Sequence, residues 1–110
     1  MRPEDWPARL PGYDARTALQ SVEAVPVVVR MRAPEWTFPM SELARAIPDR
    51  TKAIVVNSPG NPSGKVFSRA ELEAIAALAI RHDLFVFTDE IYEYFLYDGR
   101  PHLSMATLPN

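Results

Sequence analysis

Ala53-Ile54-Val55-Val56-Asn57-Ser58-Pro59-Gly60-Asn61-Pro62-Ser63-Gly64, then a helix-forming run, then Leu84-Phe85-Val86-Phe87-Thr88-Asp89-Glu90-Ile91-Tyr92: this succession decides the fold. Ala53 to Asn57 and Leu84 to Thr88 are short apolar runs rich in β-branched and aromatic residues, the pattern of strands buried on both faces. A helix of about three to four turns separates them. Strand, helix and strand in this order form a right-handed βαβ unit in nearly every case, so the strands are expected to be parallel. Their C-terminal ends then share one edge, where open α/β sheets bind ligands. A polar cluster follows each strand, and neighbouring strands are about 4.8 Å apart, so Asn61, Asp89 and Tyr92 can converge on one small flat ligand if the two strands lie close in the sheet.

The helix marks its own start. Ser68-Arg69-Ala70-Glu71 fits a capping box, and Leu72, Ile75, Ala76 and Ala79 form one apolar stripe that Leu78 and Ile80 widen. The width predicts cover on more than one side. Arg81 and His82 fall in the last turn, favourably placed against the helix dipole.

Outward from this unit the signals are shorter. Residues 1–12 hold three prolines and predict an extended lead-in. A short helix is expected over residues 13–22, a strand over 25–31 (VPVVVRM), a loop over 33–39 and a brief helix over 41–47 stopped by Pro48. After Tyr92 the chain is aromatic and irregular, with a turn at Asp98-Gly99. His102 is expected on a loop surface, because the only other histidine lies twenty residues away and no carboxylate is spaced for a metal site. Lys52 and Lys65 both read as solvated.

At 110 residues, 47% hydrophobic and a net charge of −2, the chain is sized for one small globular domain. Acidic and basic residues are mixed, which argues against nucleic acid or an anionic membrane as the main partner. The absence of cysteine excludes disulfides, thiolate metal sites and a cysteine nucleophile. The N-terminus lacks a signal-peptide core and no apolar run reaches the ~20 residues of a membrane span, so a cytoplasmic setting is the default expectation. Gly60 to Lys65 resembles a phosphate loop, but its spacing is one residue short, Val66 replaces the hydroxyl residue and Pro62 removes a cradling N–H. A G-x-G-x-x-G dinucleotide fingerprint is absent.

Asn57 to Gly64 resembles the N-x-P-x-N-P-[ST]-G signature of the fold-type I, class I/II aminotransferases, which use pyridoxal 5'-phosphate. Thr88-Asp89-Glu90-Ile91-Tyr92-Glu93 resembles their second signature, [ST]-D-E-[IVA]-Y-E, at the expected distance downstream. The likeness extends to Glu35-Trp36-Thr37-Phe38, to Thr51-Lys52-Ala53-Ile54, and from Tyr97-Asp98-Gly99 to Thr107-Leu108-Pro109, and looks closest to the kynurenine, glutamine and methionine transaminase branch. It implies that residues 1–110 are one partial domain, an inner portion of the family's three-layer α/β large domain with mainly parallel strands. It also implies amino-acid and 2-oxo-acid substrates and a homodimer for the intact enzyme.

Roles carry over residue by residue. Asp89 would pair with the pyridine nitrogen and keep it protonated, since a neighbouring carboxylate favours the charged ring; the plainer reading is an aspartate capping the next turn. Asn61 and Tyr92 would both donate to the phenolic oxygen of the ring. Without the family, Asn-Pro-Ser-Gly is simply a turn. The resemblance further implies a cis Asn61–Pro62 bond. Ile91 would pack on one ring face, or be a core residue. Tyr13, in Pro11-Gly12-Tyr13-Asp14, resembles the aromatic stacked on the other face, although Arg16 stands where that pattern has its final aromatic.

Transamination needs a lysine that bonds the cofactor and shuttles the substrate proton. Neither Lys52 nor Lys65 lies in the S-[FA]-x-K-T-F context of the family. The glycine-rich phosphate cup and the carboxylate-gripping arginine have no counterpart in the chain either. The expectation is a chain inactive by itself. A lyase or synthase of the same fold, or a non-catalytic remnant or interaction module, would share these motifs.

Overall fold

The computed structural model describes residues 19–20 and 22–109. Its elements are α1 (Met40–Arg45), β1 (Ala53–Asn57), α2 (Arg69–Arg81), β2 (Phe85–Asp89) and a 3₁₀ turn (Met105–Thr107). β1 and β2 pair in parallel, with Ala53 opposite Phe85 and Asn57 opposite Asp89. The register sets the two polar clusters side by side at one edge.

α2 begins as its sequence specifies. The Ser68 hydroxyl accepts from the Glu71 N–H at 3.2 Å, and the Glu71 carboxylate accepts from the Ser68 N–H at 2.7 Å. Two orphan helix donors are thereby satisfied. His82 is the C-cap. The end is a Schellman-type reversal in which Leu84 N–H donates to Ala79 C=O and Asp83 N–H to Ile80 C=O. Asp83 occupies the left-handed position at φ 52°, where glycine carries no Cβ penalty. Asp83→Gly is therefore expected to raise stability by roughly 0.5–1 kcal/mol, read from the denaturation midpoint.

Side chains alternate across a sheet, and the two faces here differ. Val56 is buried, and Ile54 and Val86 join the cluster of Leu43, Leu72, Ile75 and Leu78, with Phe38, Phe67, Met105 and Leu108 at its rim. On the opposite face Val55 is exposed, as are Phe85 at 74% and Phe87 at 59%. The expectation of strands buried on both faces is thus corrected: among the described residues the sheet has one covered face, and a third layer is not among them. α2 likewise leaves Ile80 exposed.

The strand expected over residues 25–31 does not form. The segment is extended, but its only bridge nearby is the isolated Arg32–Thr37 pair, and Val25, Val27 and Val28 are exposed. β-branched composition favours extended backbone, whereas a ladder needs a partner, and none is present among the described residues. The brief helix forms one residue early, over Met40–Arg45. Of the helix expected over 13–22, only Leu19 and Gln20 are described as helical, and a turn follows at Val22–Glu23. No helix among the described residues is long and apolar enough to cross a membrane.

Candidate functional site at the sheet edge

Where β1 ends, Asn57 turns its side chain into the loop it starts. Its Oδ1 accepts from the Asn61 N–H at 2.8 Å, and its Nδ2 donates to the Asp89 carbonyl at 3.1 Å. Ser58 N–H donates to the same carbonyl at 3.0 Å, so two donors from the first loop hold the end of β2. Ser58 is buried, and its hydroxyl accepts from the Phe67 N–H. Ser58–Pro59 and Asn61–Pro62 are both cis, the latter as expected. Gly64 closes the loop at φ +69°, a conformation open to glycine at no steric cost.

This loop brings Asn61 to Tyr92. The Asn61 amide Nδ2 donates to the Tyr92 hydroxyl at 3.2 Å, across thirty-one positions of sequence. Asp89 sits three residues before Tyr92 with its side chain exposed, and its Oδ1 accepts from the Ile91 N–H at 3.4 Å. In the free chain Asp89 therefore makes the turn-capping contact of the plainer reading. Ile91 is 73% exposed, so a core role for it is ruled out here. The Tyr92 ring stands edge-on to Phe95, at 5.9 Å between centroids. Tyr13 lies outside the described residues.

An amide donor, a phenol, an exposed carboxylate and an exposed aliphatic side chain at one edge fit a flat heterocycle carrying a phenolic oxygen and a basic nitrogen. They offer nothing for a phosphate. A cleft of about 290 Å³ beside β1 touches Asn57, Gly60 and Asn61 but neither Asp89 nor Tyr92, and is otherwise lined mostly by apolar groups such as Val29, Phe38 and Ile75. The ring-sized site is the open edge, not that cleft.

Two residues stand apart from their sequence reading. Lys65 is not solvated: its side chain is only 9% exposed, its ammonium donates to Glu71 at 2.7 Å and it lies 5.3 Å from the centre of the Phe67 ring. Glu71 serves both Lys65 and the Ser68 N–H, which couples the Asn-Pro-Ser-Gly loop to the start of α2. Burial pushes the Glu71 carboxyl up, but the hydrogen bonds from Lys65 and Ser68 outweigh it and hold it below its ordinary 4.5. A carboxyl depressed in the folded state stabilises it above the unfolded pKa, and that contribution is lost as pH falls through the folded value. Lys65→Met is expected to cost about 1–2 kcal/mol at pH 7, with the difference from the parent shrinking in urea melts as the pH falls below the ordinary carboxyl value of 4.5.

His102, expected on the surface, is half-buried, and its Nε2 lies 2.8 Å from Glu90 Oε2. Ser104 Oγ donates to Glu90 Oε1 at 2.9 Å. Sequence reasoning passed over Glu90 and Ser104. The available signal was the spacing of His102 and Ser104, two apart in an extended loop and hence on one side of it. Burial raises the Glu90 carboxyl, but the contacts with His102, Ser104 and Thr88 outweigh it and hold it below its ordinary 4.5. Among the described residues no cluster of three or more metal-ligating side chains occurs.

Known proteins resemble this chain in sequence and fold. The family model for aminotransferase class I and II matches residues 11–109. The human kynurenine–oxoglutarate transaminase 1 is 51% identical over 74 residues, covering 67% of this chain and 18% of that protein. The mouse kynurenine–oxoglutarate transaminase 3 is 39% identical over 111 aligned positions, covering 91% of this chain and 24% of its own length. The solved N-succinyldiaminopimelate aminotransferase of Mycobacterium tuberculosis superposes with a TM-score of 0.79 at 37% identity, over 88% of this chain and 26% of that one. The Thermus thermophilus aspartate aminotransferase with maleate gives 0.79 at 39%, over 84% and 24%. The chain thus spans between 18% and 24% of these two curated relatives. With the βαβ unit and both loop motifs inside the matched residues, the chain belongs to the class I and II aminotransferase family.

Proposed function

We propose that this chain is the ring-binding portion of a pyridoxal 5'-phosphate-dependent aminotransferase that moves an amino group between an amino acid and a 2-oxo acid, and that it is inactive alone. The supporting observation is the 3.2 Å contact between the Asn61 amide and the Tyr92 hydroxyl, one turn from Asp89. Asn61 and Tyr92 direct donor hydrogens at the phenolic oxygen of the ring. Asp89 would face the pyridine nitrogen and favour its protonated form, because a carboxylate at hydrogen-bonding distance favours the charged ring. When bound, the cofactor supplies the electron sink for loss of the substrate α-proton. By the family resemblance, Ile91 would cover one ring face and Tyr13 the other. The intact enzyme is a cytoplasmic homodimer in this reading.

Inactivity follows from the lysines. Lys52 is exposed beside the start of β1, at the edge opposite the candidate site, and Lys65 is committed to Glu71. Borohydride reduction of the chain mixed with pyridoxal 5'-phosphate, followed by peptide mass spectrometry, is expected to show no stoichiometric single-site pyridoxyllysine. Specific labelling of Lys52 or Lys65 would overturn the claim of inactivity. Ring binding itself is read with pyridoxine 5'-phosphate, which forms no bond to lysine. Asn61→Ala is expected to weaken its binding by about 5–30-fold, the loss of one hydrogen bond to a developing negative oxygen.

A further inference from the structure

Glu90 lies between the two residues that matter most at the sheet edge, Asp89 and Tyr92, yet its own side chain turns away to the segment after Arg100. One carboxylate oxygen meets His102 Nε2 at 2.8 Å and the other accepts from Ser104 Oγ at 2.9 Å. That segment is anchored in turn. Ser104 caps the 3₁₀ turn by accepting from the Ala106 N–H, and Thr107 Oγ1 donates to the Ser104 carbonyl at 2.7 Å. Leu103, Met105 and Leu108 pack against the hydrophobic cluster under α2. On the other side, the Asp89 carbonyl accepts from both Asn57 Nδ2 and the Ser58 N–H. The Asp89–Glu90 peptide is gripped from the first loop on one side and from the 3₁₀ segment on the other.

We propose that Glu90, His102 and Ser104 form a clasp that positions the Asp89–Tyr92 turn, so that the Asp89 carboxylate and the Tyr92 phenol face one ring. They are positioning residues and do not touch the ring. The clasp stands on geometry alone; only what it positions rests on the proposed function. A hydrolytic reading of the same trio fails. Ser104 gives its only proton to Glu90 and His102 turns Nε2 to Glu90 as well, so the imidazole does not activate the hydroxyl. The physical reason for a clasp is local. The backbone–backbone bonds of the turn at 90–95 are the i→i+3 pair from Glu93 N–H to Glu90 C=O and from Phe95 N–H to Tyr92 C=O, supplemented by single side-chain contacts at Ile91 N–H and the Tyr92 hydroxyl. Ile91, Tyr94 and Phe95 on it are exposed, so packing does little to hold it.

Amide hydrogen exchange of the 110-residue chain tests this, with Ser58, Ile91 and Glu93 as reporters of the turn and Ile75 and Leu78 as reporters of global opening. Glu90→Ala and His102→Ala are each expected to speed exchange at the turn about tenfold or more, while the helix amides change less than about twofold. Glu90→Gln retains an acceptor for Ser104 and is expected to recover most of the protection. Uniform acceleration of turn and helix would reduce the trio to general stability and overturn the clasp, as would no change at either. Titration with pyridoxine 5'-phosphate separates the two readings. Turn-specific acceleration in a chain that binds no pyridoxine 5'-phosphate leaves the clasp standing and removes the cofactor assignment. Unaltered affinity in Glu90→Ala despite a loosened turn would show that the clasp does not position the ring-binding groups, and would overturn it.

Discussion

Replacing Leu72 by alanine is expected to unfold this chain under conditions where the parent is folded. Leu72 is 1% exposed and sits in a cluster whose other buried members are Leu43, Val56, Ile75 and Leu78. Large-to-small changes at such a position cost about 2–5 kcal/mol, the transfer free energy of the lost carbons plus the cavity left behind. Small domains have about 5 kcal/mol in all, at the low end of the usual range, so the change removes most of it. Far-UV circular dichroism with urea titration reads the result. A loss under about 1 kcal/mol would mean that Leu72 does not centre the core.

The second large effect concerns association. Phe85 and Phe87 of β2 stand on the same bare face of the sheet as the exposed Val55 of β1, and fully burying a phenylalanine contributes about 1.5–3 kcal/mol. The parent chain is therefore expected to self-associate with rising concentration in sedimentation velocity. The double variant Phe85→Thr, Phe87→Thr is expected to sediment as a monomer over the same range. Threonine suits a strand and removes the apolar surface. The positions lie on the face opposite α2, so the change leaves the cluster of Leu72 and Ile75 intact. A parent that stays monomeric, or a double variant that associates equally, would locate the association surface elsewhere or deny it.

These two effects mark what the sequence could and could not disclose. The apolar stripe of α2 points to Leu72 and Ile75 because helical periodicity is local, and the capping box at Ser68 is equally local. Both appear in the structure as read. The βαβ pairing is also legible, since chain order and the preference for parallel crossovers leave little choice. Burial of the opposite face of β2 was read from composition, and composition is blind to whether a covering layer is present. The same blindness explains residues 25–31, where extended propensity had no ladder to join.

The candidate site divides along the same line. Asn61, Asp89 and Tyr92 stand out through their motifs, and the register from Ala53–Phe85 to Asn57–Asp89 puts their loops together. Lys65, His102 and Glu90 were misread or passed over because their partners lie 6 to 14 residues away in sequence. Nothing at either end of such a pair announces the other.

Strand and helix periods, the capping box and the two loop motifs are properties of neighbouring residues, and the sequence by itself determined the βαβ unit and the residue types at its edge. The tertiary structure decided which face of β2 lies bare, that Lys65 is tied to Glu71, and that Glu90 reaches His102 and Ser104. Those outcomes depend on which surfaces meet after the chain has folded back on itself, and short-range pattern carries no record of that meeting.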